Sequence, residues 1–154
     1  MRILLAEDEI PLAKALCKIL EKNHFSVDAV YDGEDALAYL RAGSYDVAVL
    51  DIMMPKMNGY ELLKLIRQRY DKLPVVMLSA KTDRDDIIRA YDLGCDDYVT
   101  KPFSMDILIC KIEAVVRGCR LYMESELTEW QLGELQFDSI RQQLGEKHLS
   151  SREN

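Results

Sequence analysis

The sequence predicts an α/β fold, a doubly wound five-stranded parallel sheet in the order 2-1-3-4-5, with a short β-rich C-terminal segment. Three observations carry this. Strand-like and helix-like patterns alternate five times over residues 1–119 of the 154. The strand candidates include continuous apolar runs, such as Val47-Ala48-Val49-Leu50, that suit strands buried on both faces of a parallel sheet. Short connections and right-handed crossovers then wind helices onto both faces.

The elements follow in order. Ile3 to Ala6 is a short apolar strand. A helix follows, with Leu12, Leu16, Ile19 and Leu20 on one face. Phe25 to Val30 alternates apolar and polar residues, as a more exposed second strand would. In "DGEDALAYLRAG", Asp32 caps a short helix and Gly43 ends it. Val47 to Leu50 is strand 3, and Gly59 to Arg69 is a helix with Leu62, Leu65 and Ile66 at helical spacing. "PVVMLSA" is strand 4, with Pro74 at its first position, where a missing donor does least harm. Arg84 to Leu93 is helix 4, stopped by Gly94, and Asp97 to Thr100 is strand 5. Ser104 to Arg117 is helix 5, with Leu108, Ile112 and Val115 inward.

Composition limits the function classes. The net charge is −7, with 49% hydrophobic and 31% charged residues, which suits a globular core rather than disorder. Neither the first 119 residues nor the remainder has a cationic surplus, which counterion displacement from nucleic acid requires. Cys17, Cys95, Cys110 and Cys119 form no paired spacing of the kind a zinc site shows. They read as reduced thiols of a cytoplasmic protein. "MRILLAEDEI" meets acids by residue 7 and reads as a strand, not a signal peptide. No run of 18 apolar residues suggests a membrane span.

In an open parallel sheet the functional crevice lies beyond the carboxyl ends of the strands, near the point where strand order reverses. Strand 1 is followed by Glu7-Asp8-Glu9. Strand 3 ends on Asp51, strand 4 on Ser79-Ala80, and strand 5 on Thr100-Lys101-Pro102. Any one of these could be a polar rim meeting water, but together they gather acids, a hydroxyl and a lysine at one edge. Two carboxylates about 4 Å apart repel by about 4 kcal/mol at an effective dielectric near 20. Glu7, Asp8 and Asp51 therefore need raised pKa values or a cation. Oxygen-only donors favour a hard ion such as Mg²⁺. A carboxylate nucleophile beside a metal, a lysine and a hydroxyl is a site for phosphoryl transfer.

The motifs "LLAEDE", "VLDIMMPKMNG", "VVMLSAK" and "DDYVTKPF" together resemble a two-component response-regulator receiver domain over residues 1–119, a flavodoxin-like fold. That resemblance implies that Asp51 accepts a phosphoryl group from a sensor histidine kinase. It implies that Glu7, Asp8, Asp51 and the backbone carbonyl of Met53 hold Mg²⁺. Ser79 becomes the switch hydroxyl, Tyr98 the switch aromatic and Lys101 the phosphate-binding lysine, with a cis peptide before Pro102. On its own, Tyr98 would read as a half-buried sheet residue. Met53 and Lys81 stand where the family tunes dephosphorylation, and Met53 holds a hydrolytic water poorly. A long-lived phosphoryl state is expected.

Residues 120–126 read as a linker. Residues 127–154 resemble the β-platform opening the winged-helix output domain of OmpR/PhoB-type transcription regulators, with Trp130, Leu132, Leu135 and Phe137 as its apolar positions. "LSSREN" resembles the start of the first effector helix, so the recognition helix is expected to be missing and DNA binding to belong to the full-length protein. In that family, receivers pair through helix 4, strand 5 and helix 5. Asp96 or Asp97 facing Lys111 could keep one such contact. Ile87 and Ile107 replace a charge pair, and Asp92 and Glu113 put like charges at another. A homodimer by this face, or by exchange of the tail, is the expectation.

Three rivals fit less well. An aspartyl phosphatase wants a DxD pattern after strand 1, where this chain has Glu-Asp-Glu. A flavin module wants a phosphate loop there, and acids would repel it. A phosphate-independent receiver would not need the full set of acids, Ser79 and Lys101.

Overall fold

The computed structural model describes residues 1–132, with side chains through residue 119. It contains β1 (Arg2–Ala6), α1 (Ile10–Lys22), β2 (Ser26–Val30), α2 (Gly33–Ala42) and β3 (Val47–Asp51). These are followed by α3 (Gly59–Arg69), β4 (Val75–Ser79), α4 (Arg84–Leu93), β5 (Asp97–Thr100) and α5 (Met105–Leu132). The sheet order is β2-β1-β3-β4-β5, and every pairing is parallel, as the sequence predicts.

Side chains alternate across a strand, and this alternation builds two cores. Leu4, Ala48, Leu50 and Met77 face one layer with Leu62, Leu63 and Ile66 of α3. Ile3, Leu5, Val49 and Leu78 face the other, with Leu16 and Leu20 of α1 and Leu108 and Ile112 of α5. Every residue of β3 and β4 is buried, whereas β2 at the edge is half-buried. Each fully buried Leu or Ile contributes about 1.5–3 kcal/mol.

Local chemistry sets the helix ends. Asp32 accepts a hydrogen bond from Asp35 N at 2.8 Å, and Asn58 one from Glu61 N at 3.0 Å, each satisfying a donor that the helix leaves open. Gly94 ends α4 with φ 108°, a left-handed conformation that favours glycine. Opposite the strand carboxyl ends, Arg67 ties several segments together. Its guanidinium donates to the carbonyls of Gly94 and Leu73, each at 2.7 Å, and to Asp96 Oδ2 at 2.9 Å. Asp96 Oδ2 also accepts Val75 N at 2.8 Å, at the start of β4.

Some expectations shift. Strand 2 begins at Ser26, with Phe25 buried just before it. On α3 it is Leu63 that is fully buried and Leu65 that is partly exposed. On α5, Val116 is buried and Val115 only partly so. Residues 120–126, expected as a linker, are helical: α5 runs on through Leu132. Helix 5 is expected to end at Arg117, but residues 119–132 contain no Gly or Pro, and the one glycine at 118 costs a helix only about 1 kcal/mol. Residues 127–132, assigned with 133–154 to the β-platform, are helical as well. The chain divides into two units, Met1–Val116 and Arg117–Asn154. The rest of the expected β-platform, with Leu135 and Phe137, and any tail exchange lie outside the described residues. No described helix is long and apolar enough to cross a membrane.

Candidate functional site

The carboxyl ends of β1, β3, β4 and β5 bring the singled-out side chains together. Asp51 is the last residue of β3 and is buried; Glu7, just past β1, is wholly buried, as is Ser79 at the end of β4. Asp8 is exposed. Oxygens of Glu7, Asp8 and Asp51 all lie within 4.8 Å of one another. Lys101, just past β5, reaches into this cluster. Its Nζ is 2.9 Å from Glu7 Oε2, 3.5 Å from Asp51 Oδ2 and 3.8 Å from Glu9 Oε1. The Lys101–Pro102 peptide is cis.

The electrostatics follow from this crowding. Burial, then the facing Glu7 carboxylate, pushes the Asp51 carboxyl up to about 7, and Lys101 only partly opposes that rise. Burial alone would lower Lys101, but its hydrogen bond to Glu7 and the charge of Asp51 outweigh burial and raise it. The ammonium therefore stays charged beside the acids. Glu7 Oε2 is buried and accepts no hydrogen bond of good geometry, with the Lys101 ammonium 2.9 Å away. A buried oxygen-only cluster with an unfilled acceptor, open to solvent through Asp8, suits a hard cation that keeps several waters.

The loop after β3 is shaped by close backbone packing. Gly59 N donates to Ile52 O at 2.8 Å, and a Cβ on Gly59 would overlap the Asp51 carbonyl and sit 2.7 Å from Ile52 Cα. Glycine lets α3 begin against the backbone of Asp51. Met53 N donates to Asp51 Oδ1 at 3.3 Å, while its side chain is 59% exposed. A cavity of about 460 Å³ beside the cluster is lined by Asp8, Met53, Met54, Pro55 and Asn58.

Behind Asp51, Ser79 Oγ accepts Lys81 N at 3.1 Å. Tyr98 is buried in the core and donates its hydroxyl to Lys81 O at 2.8 Å. Both expected switch residues thus meet at Lys81. Two contacts escaped sequence reasoning. Glu9 joins the lysine cluster, and Tyr60 of α3 donates to Asp86 O of α4 at 3.1 Å. The first could have been read from the "EDE" run; the second had no sequence signal, because its acceptor is a backbone carbonyl.

The expected pairing face is altered. Ile87 is partly buried and packs against the core, while Ile88 and Ile107 are exposed. One residue along a helix is a rotation of about 100°, enough to exchange the two faces. Lys111 Nζ pairs with Asp97 Oδ1 of the same chain at 3.1 Å, and Asp96 is held by Arg67.

Known proteins agree with this geometry. The chain is 37% identical over 150 residues to the transcriptional regulatory protein DltR of Streptococcus agalactiae, covering 97% of this chain and 66% of that protein. It is 42% identical over 117 residues to the regulatory protein VanRB of Enterococcus faecalis, covering 76% and 53%. It thus spans between about half and two thirds of these relatives. A receiver domain of a Francisella response regulator superposes with TM-score 0.72 at 35% identity, over 75% of this chain and 96% of that one. Response regulator TrrA of Thermotoga maritima, solved with Mg²⁺ and BeF, does so with TM-score 0.69 at 30% identity, over 74% and 97%. The family profile described as the response regulator receiver domain matches residues 3–113, the stretch that supplies all of the sheet but Arg2 and the whole acid–lysine pocket, and the chain belongs to that family.

Proposed function

We propose that this chain is a phosphorylation-switched response regulator that accepts a phosphoryl group on Asp51 from a partner histidine kinase. The observation that carries this is the grouping of Asp51 with Glu7 and Asp8 within 4.8 Å, and with Lys101 at 3.5 Å. Asp51 must be ionised to attack. One Asp51 carboxylate oxygen forms a bond to phosphorus while the P–N bond of a phosphohistidine breaks. The electron pair leaves with the imidazole nitrogen, which takes up a proton. Lys101 neutralises the phosphoryl oxygens, and Ser79 donates a hydrogen bond to one of them. Glu7, Asp8, Asp51 and the Met53 carbonyl would hold Mg²⁺, which supplies charge neutralisation at the transferring group when bound. Tyr98 follows Ser79 through their shared contact at Lys81, which makes the Asp51 adduct a signal as well as a chemical intermediate.

The likeness to DltR runs past the receiver into the C-terminal residues. This supports an OmpR/PhoB-type regulator whose output domain, a winged helix beginning near residue 127, binds DNA in the full-length protein in the cytoplasm. Residues 1–154 alone, at net charge −7, are not expected to bind DNA specifically; a salt-sensitive, sequence-specific shift in a gel would overturn that. A homodimer through α4, β5 and α5 would present Ile88 and Ile107.

Mass spectrometry after incubation with a small phosphodonor and Mg²⁺ tests the central claim. One phosphoryl adduct is expected on the wild type and none on Asp51→Asn. Absence from the wild type, or persistence in the variant, would sink the assignment.

A further inference from the structure

We propose that Tyr60 is a positioning residue, a latch that holds the N-terminal half of α4 and through it the Ser79–Lys81 segment beside Asp51. The proposal rests on the reading of Asp51 as the phosphoacceptor. It starts from how weakly α4 is seated. Ala90 is its only fully buried residue, and Asp83 at its N-cap makes no side-chain capping bond. Its two ends are held by different means.

The C-terminal end is pinned by Arg67, which donates to the Gly94 carbonyl and pairs with Asp96. The N-terminal half is held by Tyr60. Its hydroxyl lies 3.1 Å from Asp86 O and 3.4 Å from Asp86 Oδ1. The Arg89 guanidinium stands 4.2 Å from the Tyr60 ring centroid, in cation–π range. The ring is buried in the core against the sheet, so the tether has a rigid base.

Two routes join this tether to the acceptor. Tyr60 directly follows Gly59, whose N–H is bonded to Ile52 O and whose backbone is packed on that of Asp51. On the other side, Lys81 links Ser79 Oγ and the Tyr98 hydroxyl through its backbone, and its Nζ lies 4.0 Å from Asp86 Oδ2. Asp86 therefore sits where both routes end. Contiguity alone does not show coupling, but it makes coupling measurable: with Tyr60 in place, the Ser79–Lys81 segment is ordered before a phosphoryl group arrives, and that preorganisation raises affinity.

The experiment uses the full chain with beryllofluoride and Mg²⁺ as the phosphoryl probe, and Tyr60→Phe, which keeps the buried ring. Loss of one net hydrogen bond corresponds to about fivefold. Amide exchange at Ile87 and Arg89 should quicken by about that factor, with Gly94 and Cys95 unchanged. Probe affinity should fall by a similar factor. In a Ser79→Ala background the same substitution should change affinity by less than about twofold, because the latch acts through Ser79. Unchanged or increased probe affinity in Tyr60→Phe, or an equal loss in both backgrounds, overturns the latch. So does uniformly faster exchange along α4. A wild type that binds no probe at all instead overturns the phosphoacceptor reading, and the coupling with it.

Discussion

Replacing Asp51 by Asn should stabilise the metal-free protein, and the gain should depend on pH. The Asp51 carboxyl is pushed up from 3.8 to about 7, by burial first and by Glu7 second. A shift of roughly three units corresponds to about 4 kcal/mol between the two protonation states. The same scale emerges from geometry: carboxylate oxygens within 4.8 Å of one another repel by at least about 3.5 kcal/mol at an effective dielectric near 20, while Lys101 at 3.5 Å offsets a comparable amount and leaves burial uncompensated. The sign is set by proton counting. Between about pH 4 and 7 the native state holds a proton on Asp51 that the unfolded chain has lost, so wild-type stability from this group falls as pH rises and levels off above about 7. Asn has the shape without the charge. Urea unfolding in a chelating buffer should therefore show little difference near pH 4, and a variant more stable by about 1–3 kcal/mol near pH 8, below the ceiling because Lys101 loses one partner. A variant no more stable at pH 8, or an advantage independent of pH, would refute the claim that an ionised Asp51 is unfavourable in this pocket.

Three further outcomes follow from the same pocket. Saturating Mg²⁺ at about 100 times its dissociation constant should stabilise the wild type by about 2.7 kcal/mol and Glu7→Gln clearly less; equal rises in melting temperature would place the ion elsewhere. Lys101→Ala leaves the wholly buried Glu7 without its cation and should cost about 3 kcal/mol in denaturant unfolding, a loss under about 1 kcal/mol arguing that Glu7 is held otherwise. Met53, exposed beside the acceptor, cannot orient a water well, so the aspartyl phosphate should decay slowly and Met53→Asn should shorten its lifetime several-fold by autodephosphorylation assay; an unchanged lifetime would exclude a role for that side chain.

Legibility in the sequence tracked locality. The strands of the sheet were readable because β1, β3 and β4 carry continuous apolar runs and β2 an alternating pattern, and parallel topology then delivers their ends to one rim. Glu7, Asp51, Ser79 and Lys101 could be placed at that rim for this reason. What escaped is non-local or backbone-mediated. Arg67 reads as one more basic residue near a helix end, yet its acceptors at Gly94 and Asp96 are 27 and 29 residues away. Ile87 and Ile88 differ by one residue, and only packing decides which faces solvent. α5 continues past the expected end at Arg117, because one poor residue, Gly118, does not end an otherwise favourable run.

The two ends of the sheet do opposite physical work, and this separates stability from switching. At the carboxyl ends, like charges are crowded and incompletely compensated. At the amino ends, polar groups are closely paired: Arg67 joins Gly94, Leu73 and Asp96, while Arg2 pairs with Asp28 at 3.0 Å and stacks on Tyr45. A fold can hold an unfavourable cluster at one rim only where other regions over-determine the structure. Removing the charge of the crowded Asp51 at one rim and removing a tie at the other should then have opposite signs. Arg67→Met keeps the apolar stem but removes the donors to the Gly94 and Leu73 carbonyls and the ion pair with Asp96, which keeps its bond from Val75 N, for an expected loss of about 2–3 kcal/mol. Because Arg67 touches none of the pocket groups, beryllofluoride affinity of the folded fraction should match wild type within about twofold, whereas Asp51→Asn stabilises and abolishes binding. Urea unfolding and probe titration on the same samples decide it. An Arg67→Met protein that unfolds normally but binds the probe much more weakly would show that the amino-end ties are part of the switch rather than its support.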